Sequence, residues 1–333
     1  MMRVHGTVVD AHSDGELPDW VSYSNGDHTI AGTPRDLEAG GMMGESIYRN
    51  YDAEALYAQY NNRAMTPPEE LAAIKADQER RSNAVRAASA RAELDVAYGP
   101  HARERLDLFL PEAANAPLFA YIHGGYWQWN DKEPFVFLGE HLVAGGAAFA
   151  NIEYALCPDV SLSELTDQVR RAIAYLWLEA ERFGYDPDRI VVSGHSAGGH
   201  LTGMMMATDW PAFANELPAD LVAAGLPISG VYDVEAVRLT PLNDLVRMDQ
   251  AEARALSPMF LTPTSRAPMT VVVGGTESDE FHRQAEDFAT AWRKSDVEAD
   301  VVVAPGRDHF TVLNALAEPG HDVLAAANRL LGI

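Results

Sequence analysis

The stretch RIVVSGHSAGGHL, residues 189–201, begins as an apolar β-strand pattern and continues as a helix pattern. Between the two halves lies the spacing Gly194-x-Ser196-x-Gly198. Glycines at both flanks let the backbone turn sharply from strand to helix and expose the serine hydroxyl. At the helix N-terminus the amide of Ala197 can stabilise an oxygen that becomes negative during a reaction. We therefore predict that Ser196 is a catalytic nucleophile. The alternative is a glycine-rich turn with an incidental serine.

A second glycine loop lies upstream, where the buried-strand pattern at 118–122 runs into His123-Gly124-Gly125-Tyr126-Trp127. Two glycines after a strand allow the amides of Gly124 or Gly125 to point at one spot, as an oxyanion hole requires. His123 is predicted to pin this loop by hydrogen bonds. Tyr126 and Trp127 are either core aromatics or, as we predict, walls of an acyl or aryl pocket.

A serine nucleophile needs a base and a group that orients the base. His309 follows the strand pattern at 301–303 directly, which is the position of the base in the chain order serine, acid, histidine. The acid is expected after the preceding strand, where Glu277, Asp279 and Glu280 all occur. Asp279 is favoured by residue type, since aspartate is the commoner orienting acid, and Glu277 by its position close behind the strand.

Composition places the chain among large globular proteins. Of 333 residues, 47% are hydrophobic and 9% aromatic, which is ample for a sizeable core. The formal charge of −24 disfavours partners such as nucleic acid and anionic membrane surfaces. The single cysteine, Cys157, excludes an internal disulfide and any multi-cysteine metal site.

No charged segment followed by an apolar run opens the sequence, and no window approaches the ~18 apolar residues of a membrane span. We therefore expect a cytoplasmic protein. The histidine spacings match no metal-ligand pattern, so neither a metal nor an organic cofactor is expected.

Short apolar strands alternate with helical runs, which predicts an α/β fold with a mostly parallel eight-stranded sheet covered by helices on both faces. The predicted strands lie at 94–98, 105–110, 118–122, 147–154, 190–193, 226–229, 270–273 and 300–303. Between the fourth and fifth strands, apolar residues from Leu165 to Phe183 recur at helical spacing, and Gly184 is expected to end that helix.

The remaining segments define the domain organisation. Residues 1–50 are predicted to be a loosely structured arm that covers the body or a partner subunit of a homo-oligomer, and residues 51–333 to be the catalytic domain. Helical spacing runs from Asp52 to about Ser89. Residues 231–266 are predicted to be an insertion that forms a lid or pocket wall.

Four segments resemble kynurenine formamidases (arylformamidases), which are serine hydrolases of the α/β-hydrolase fold. The segments are His123–Gln128, Gly194–Leu201, Glu277–Gln284 and Asp308–Phe310. The Tyr-Trp pair after His-Gly-Gly distinguishes this group from lipase-like esterases, which usually carry a third glycine there. The resemblance implies Ser196 as nucleophile, His309 as base and Glu277 as acid. The chain departs from some members at Glu277, where they carry aspartate.

These residues lead to three functional hypotheses. The first is cleavage of an N-formyl arylamide such as N-formylkynurenine, a small-molecule substrate, through an acyl-serine intermediate. The second is a carboxylesterase that uses the same triad on small aryl or short-chain acyl esters. The third is a non-catalytic binding protein built on the hydrolase fold.

Overall fold

The computed structural model describes residues 45–333. Most of the predicted arm, residues 1–44, lies outside the described residues. The strands of the sheet are β1 Ala92–Ala97, β2 Arg105–Phe109, β3 Ala116–Ile122, β4 Ala148–Ile152, β5 Tyr185–His195, β6 Ala224–Ile228, β7 Met269–Gly274 and β8 Ala299–Ala304. The α-helices are α1 Ala53–Tyr60, α2 Asn62–Met65, α3 Pro68–Ala88, α4 Glu140–Ala144, α5 Leu162–Leu178, α6 Ala180–Phe183, α7 Ala197–Met206, α8 Trp210–Phe213, α9 Glu235–Arg238, α10 Asn243–Val246, α11 Gln250–Ala255, α12 Asp279–Arg293, α13 Val312–Leu316 and α14 Asp322–Leu331. Two 3₁₀ helices lie at Glu133–Gly139 and Pro258–Phe260.

The strands form one sheet in the order β1-β2-β4-β3-β5-β6-β7-β8. The pairs β1/β2 and β2/β4 are antiparallel, and every other neighbouring pair is parallel. The central strand β3 is buried along its whole length, as expected of a continuous apolar run covered by helices on both faces. The edge strand β1 is largely exposed. The predicted α/β architecture is therefore confirmed.

All eight predicted strands are found, and their ends differ from the prediction by no more than two residues except at the start of β5. β5 begins at Tyr185 rather than at the predicted Ile190, because Tyr185 already pairs with Ala116 across an irregular register. β1 contains an irregularity between Glu93 and Val96, and Asp95 there has a positive φ of 54°. Polar residues occupy the first part of β5 and the irregular part of β1, so a pattern of apolar residues did not predict either feature.

Helices account for the segments that showed helical spacing. The run from Leu165 to Phe183 is covered by α5 and α6, and Gly184 ends it with φ 83°. Residues 53–88 form α1, α2 and α3, and α3 begins at Pro68, where a missing amide hydrogen costs nothing. Between β6 and β7 lie three short α-helices and the 3₁₀ helix Pro258–Phe260, and the Tyr232 ring stacks on Phe288 of α12 at 4.2 Å. The role of this insertion as a lid stays a prediction.

Candidate active site

The turn between β5 and α7 has a strained backbone at Ser196, with φ 57° and ψ −115°. Ser196 is held there by its amide, which donates to the Ile228 carbonyl at 2.9 Å. Both flanking glycines are required by close approach. A Cβ on Gly194 would lie 2.4 Å from the Gly198 carbonyl oxygen, and one on Gly198 would lie 2.0 Å from that of Ile122. The glycine spacing therefore acts as the sequence indicated, by allowing a turn that no side chain could enter.

Three predicted residues meet at this turn. His309 Nε2 lies 3.0 Å from Ser196 Oγ, and His309 Nδ1 lies 2.7 Å from Glu277 Oε2. The Glu277 side chain is fully buried, and its other carboxylate oxygen accepts hydrogen bonds from the Ser229 hydroxyl and, at 2.6 Å, from the Gly274 amide. This second pair of contacts fixes the carboxylate plane, so that Oε2 is left facing the imidazole.

Asp279, the alternative acid, is not brought to the histidine. It is exposed and occupies the first turn of α12, two residues beyond Glu277. Glu280 is buried but turns to Arg283, to which it is ion-paired at 2.7 Å, and to the Tyr60 hydroxyl. Of the carboxylates in this loop, the structure places Glu277 against His309.

The His309 ring itself is held from two sides. The His195 ring lies 4.6 Å from it and the Phe281 ring 4.7 Å from it, both tilted. Burial lowers the pKa of His195 well below its ordinary value, and the neighbouring His309 lowers it further, so His195 stays neutral. Neither neighbour could be found from the sequence, because His195 and Phe281 meet His309 only after the strands are aligned.

The glycine loop after β3 lies directly against the serine. A Cβ on Gly124 would approach the His195 carbonyl oxygen at 2.6 Å and Ser196 Cβ at 3.1 Å. Gly125 has φ 120°, and Tyr126 and Trp127 follow with φ 47° and 61°. No hydrogen bond within residues 45–333 engages the amide of Gly125 or of Ala197. Both amides thus stay available to a negative oxygen at the serine.

His123 pins this loop, as predicted. Its ring is completely buried and stacks on Tyr154 at 4.3 Å. Its Nδ1 lies 2.9 Å from the Gly124 carbonyl oxygen and its Nε2 lies 2.9 Å from Glu153 Oε1. Both ring nitrogens are therefore committed to structural contacts.

The aromatic pair after the glycines differs from the prediction of two pocket walls. Trp127 is 0% exposed, and its Nε1 donates to His200 Nδ1 at 3.2 Å. Tyr126 is 7% exposed, and its hydroxyl donates to the Tyr60 carbonyl at 2.7 Å. Trp127 supports the loop from the core rather than facing an open cavity. The only partly buried aromatic ring of this loop is Trp129, edge-on to Tyr126 at 6.3 Å.

One contributor was not foreseen in detail, namely the junction of α1 and α2. The Gln59 carbonyl accepts from the Ser278 hydroxyl at 2.7 Å, beside Glu277, and Asn62 Nδ2 donates to the Tyr126 hydroxyl at 3.3 Å. Residues 59–62 therefore connect the loop that carries Glu277 with the glycine loop after β3. The helical spacing in the sequence indicated helices here but carried no signal for these long-range contacts.

No cluster of three or more potential metal ligands occurs among residues 45–333. No helix in the same range is long and apolar enough to cross a membrane.

The fold and the arrangement of Ser196, His309 and the glycine loops define an α/β-hydrolase. The sequence model of the BD-FAE family matches residues 106–292, more than half of the chain, so the chain belongs to this family. The kynurenine formamidase of Danio rerio is 28% identical over 72% of this chain and 82% of its own length. The family and this relative identify the protein as a hydrolase.

Solved structures of other proteins share this fold. A candidate thioesterase from Silicibacter sp. TM1040 is 34% identical and aligns with a TM-score of 0.71, over 81% of this chain and 97% of its own. The carboxylesterase EstE1 from a metagenomic library shares the fold, with a TM-score of 0.61 at 21% identity, over 81% of this chain and 98% of its own.

Proposed function

We propose that the protein cleaves an N-formyl arylamide, such as N-formylkynurenine, through an acyl-serine intermediate. The observation that carries the proposal is the continuous chain from Glu277 through His309 to Ser196, with contacts of 2.7 and 3.0 Å. The kynurenine formamidases among its relatives support this substrate class. The reaction would take place on a small molecule in the cytoplasm.

In the first half of the proposed reaction, His309 Nε2 takes the Ser196 proton while Oγ attacks the formyl carbonyl. Glu277 accepts the hydrogen of Nδ1, which keeps Nε2 unprotonated before attack and stabilises the imidazolium afterwards. The amides of Gly124 or Gly125 and of Ala197 hold the tetrahedral oxyanion. His309 then gives its proton to the leaving arylamine, and the C–N bond breaks.

In the second half, the same residues hydrolyse the formyl-serine. His309 removes a proton from water as the water oxygen attacks the formyl carbon, and it returns that proton to Ser196 Oγ when formate leaves. The oxyanion hole serves both tetrahedral intermediates, because the negative oxygen occupies the same place in each.

The esterase alternative uses the same residues and is supported by isoprenylcysteine methylesterases among the relatives. The two functions differ in the room each needs for an acyl group. A formyl group needs almost none, and in this chain Tyr126 occupies the position where lipase-like loops usually have a third glycine.

The deciding experiment compares turnover of N-formylkynurenine with that of p-nitrophenyl acetate, butyrate and octanoate. We expect kcat/KM to be highest for the formamide and to fall across the esters as the acyl chain grows. One methylene group that does not fit the pocket should lower kcat/KM by no more than ~10–200-fold, so the fall should be gradual. A flat profile, or a maximum at butyrate or beyond, would favour the esterase. Failure of a fluorophosphonate to label Ser196 would favour the non-catalytic binding protein over both.

A further inference from the structure

Arg63 of α2 packs against Trp129, which follows the glycine loop after β3. Its guanidinium carbon lies 4.3 Å from the centre of the Trp129 ring, in cation–π contact. The Trp129 amide donates to the Gly125 carbonyl at 3.0 Å, so this ring is tied to the glycine loop beside Ser196. Arg63 nevertheless remains exposed. One face of the guanidinium is therefore covered by an aromatic ring while the rest stays open to a ligand.

The position of Arg63 is fixed by its neighbour in the chain. Asn62 is buried and donates to the Tyr126 hydroxyl, which itself donates to the Tyr60 carbonyl. The same α1–α2 junction contacts Ser278 beside Glu277. Arg63 thus belongs to a segment that bridges the two loops flanking the serine. The segment therefore lies against both of these loops.

Arg63 also lacks a counter-charge. Neither its side chain nor that of Lys75 of α3 takes part in an ion pair or a hydrogen bond within residues 45–333. Partial burial lowers the pKa of both groups, and the charge of Arg63 lowers the pKa of Lys75 further. Elsewhere in residues 45–333, the cations whose pKa is raised instead all contact carboxylates: Arg103, Lys132, Arg171, Arg182, Arg238 and Arg283.

Cations without a paired carboxylate are unexpected in a chain of net charge −24, where carboxylates are plentiful. A cation that no protein carboxylate pairs with is free to bind an anion that a ligand supplies. Arginine suits this task, because its planar fork donates two parallel hydrogen bonds to a carboxylate.

We propose that Arg63, assisted by Lys75, binds a carboxylate on the leaving-group side of the substrate, with Trp129 packing against the same part of the molecule. This inference rests on the proposed function, and it specifies the substrate class as aryl formamides or esters that carry an acid side chain. Arg63 acts as a specificity-determining residue and takes no part in the bond-breaking steps.

The test uses two esters that share acyl group and phenol, 3-(3-acetoxyphenyl)propanoate and its uncharged primary amide. The wild-type protein should prefer the acid in kcat/KM. In Arg63→Gln this preference should fall about tenfold, as expected for loss of a charge-assisted hydrogen bond, mainly through KM and with turnover of the amide kept within about twofold. Arg63→Lys should restore part of the preference, and Lys75→Gln should lower it by a smaller factor.

The matched control is Arg266→Gln, which removes an exposed arginine paired with Asp296. This variant should leave kcat/KM unchanged for both esters. Equal use of acid and amide by the wild-type protein, or an equal loss on both in Arg63→Gln, would overturn the inference. The ester pair separates the two proposals. If N-formylkynurenine is not cleaved while the acid ester is preferred through Arg63, the formamidase proposal fails and the carboxylate site stands.

Discussion

At the scale of single residues, Ser196 combines the proposed nucleophile with an unfavourable backbone. Its φ of 57° and ψ of −115° lie outside the regions that residues with a Cβ favour. Strain of this kind costs of order 1–3 kcal/mol and persists where surrounding structure imposes it. Here Gly194 and Gly198 pack closely against neighbouring carbonyl groups, and this packing holds the backbone of the turn in place.

Two substitutions separate the hydroxyl from the strain. Ser196→Ala and Ser196→Gly should both lose ~10³-fold or more of turnover, because both lack the nucleophile. The glycine variant should be the more stable by about 1 kcal/mol, since glycine adopts this conformation without steric cost. Urea unfolding monitored by circular dichroism measures the difference. More than a tenth of wild-type activity in folded Ser196→Ala would mean that the nucleophile lies elsewhere.

The choice of acid is also a single-residue question. Glu277→Gln should reduce kcat on the order of 10³-fold or more, because an amide cannot hold His309 in the required tautomer or stabilise its charge. Glutamine still fills the buried position and can accept from Ser229. The matched control, Asp279→Asn, changes an exposed carboxylate nearby and should keep kcat within about threefold. If the two variants rank the other way round, Asp279 is the orienting acid.

At the scale of elements, His200 of α7 joins three parts of the chain. Its Nδ1 accepts a hydrogen bond from Trp127 of the glycine loop after β3. Its Nε2 donates to the Leu256 carbonyl at 2.7 Å, at the end of α11. Burial lowers its pKa from 6.5 to about 4 in the folded protein. This neutral histidine therefore couples the glycine loop and the insertion to the helix that carries Ser196.

The sign of the pH effect follows from that shift. Between pH 6.5 and about 4 the unfolded chain binds a proton at His200 and the folded chain does not, so the free energy of unfolding is highest above pH 6.5 and falls toward pH 4. His200→Gln should be less stable at pH 7, and its stability should fall less steeply with decreasing pH, by up to about 1.4 kcal/mol per unit. Urea titrations at pH 7, 6 and 5 measure both slopes. Identical slopes would mean that the pKa of His200 is the same in the folded and the unfolded chain.

At the scale of the whole molecule, charge is the dominant feature. With 49 acidic and 25 basic residues, the folded chain brings many carboxylates close together. Self-repulsion of this kind destabilises the compact state, and salt screens it over a Debye length of ~10 Å at 0.1 M. Several acids of residues 45–333 are paired, such as Glu104 with Arg171, but the acidic residues of the chain outnumber its basic residues.

We therefore expect the Tm to rise when NaCl is increased from 0.01 to 0.5 M at pH 7.5. Calorimetry at several salt concentrations measures this directly, and sucrose at equal osmolality controls for non-ionic effects. A falling Tm would show that salt weakens the ion pairs more than it relieves the general repulsion.

The sequence by itself determined the features that depend on near neighbours. Strand and helix patterns, the turn around Ser196, the glycine loop after His123 and the histidine after the last strand are local, because periodicity and glycine spacing act within a few residues. The eight strands and their helices were predictable for this reason. The position of Glu277 close behind its strand was readable too, although the residues alone left Asp279 open.

Only the tertiary structure decided which groups meet across long separations. Glu277 rather than Asp279 faces His309, because α12 begins at Asp279 and leaves that side chain in solvent. Trp127 is buried against His200, a contact 73 residues apart, and Gln59 meets Ser278 across 219 residues. Such contacts depend on how helices pack against the sheet, and no local pattern records that packing.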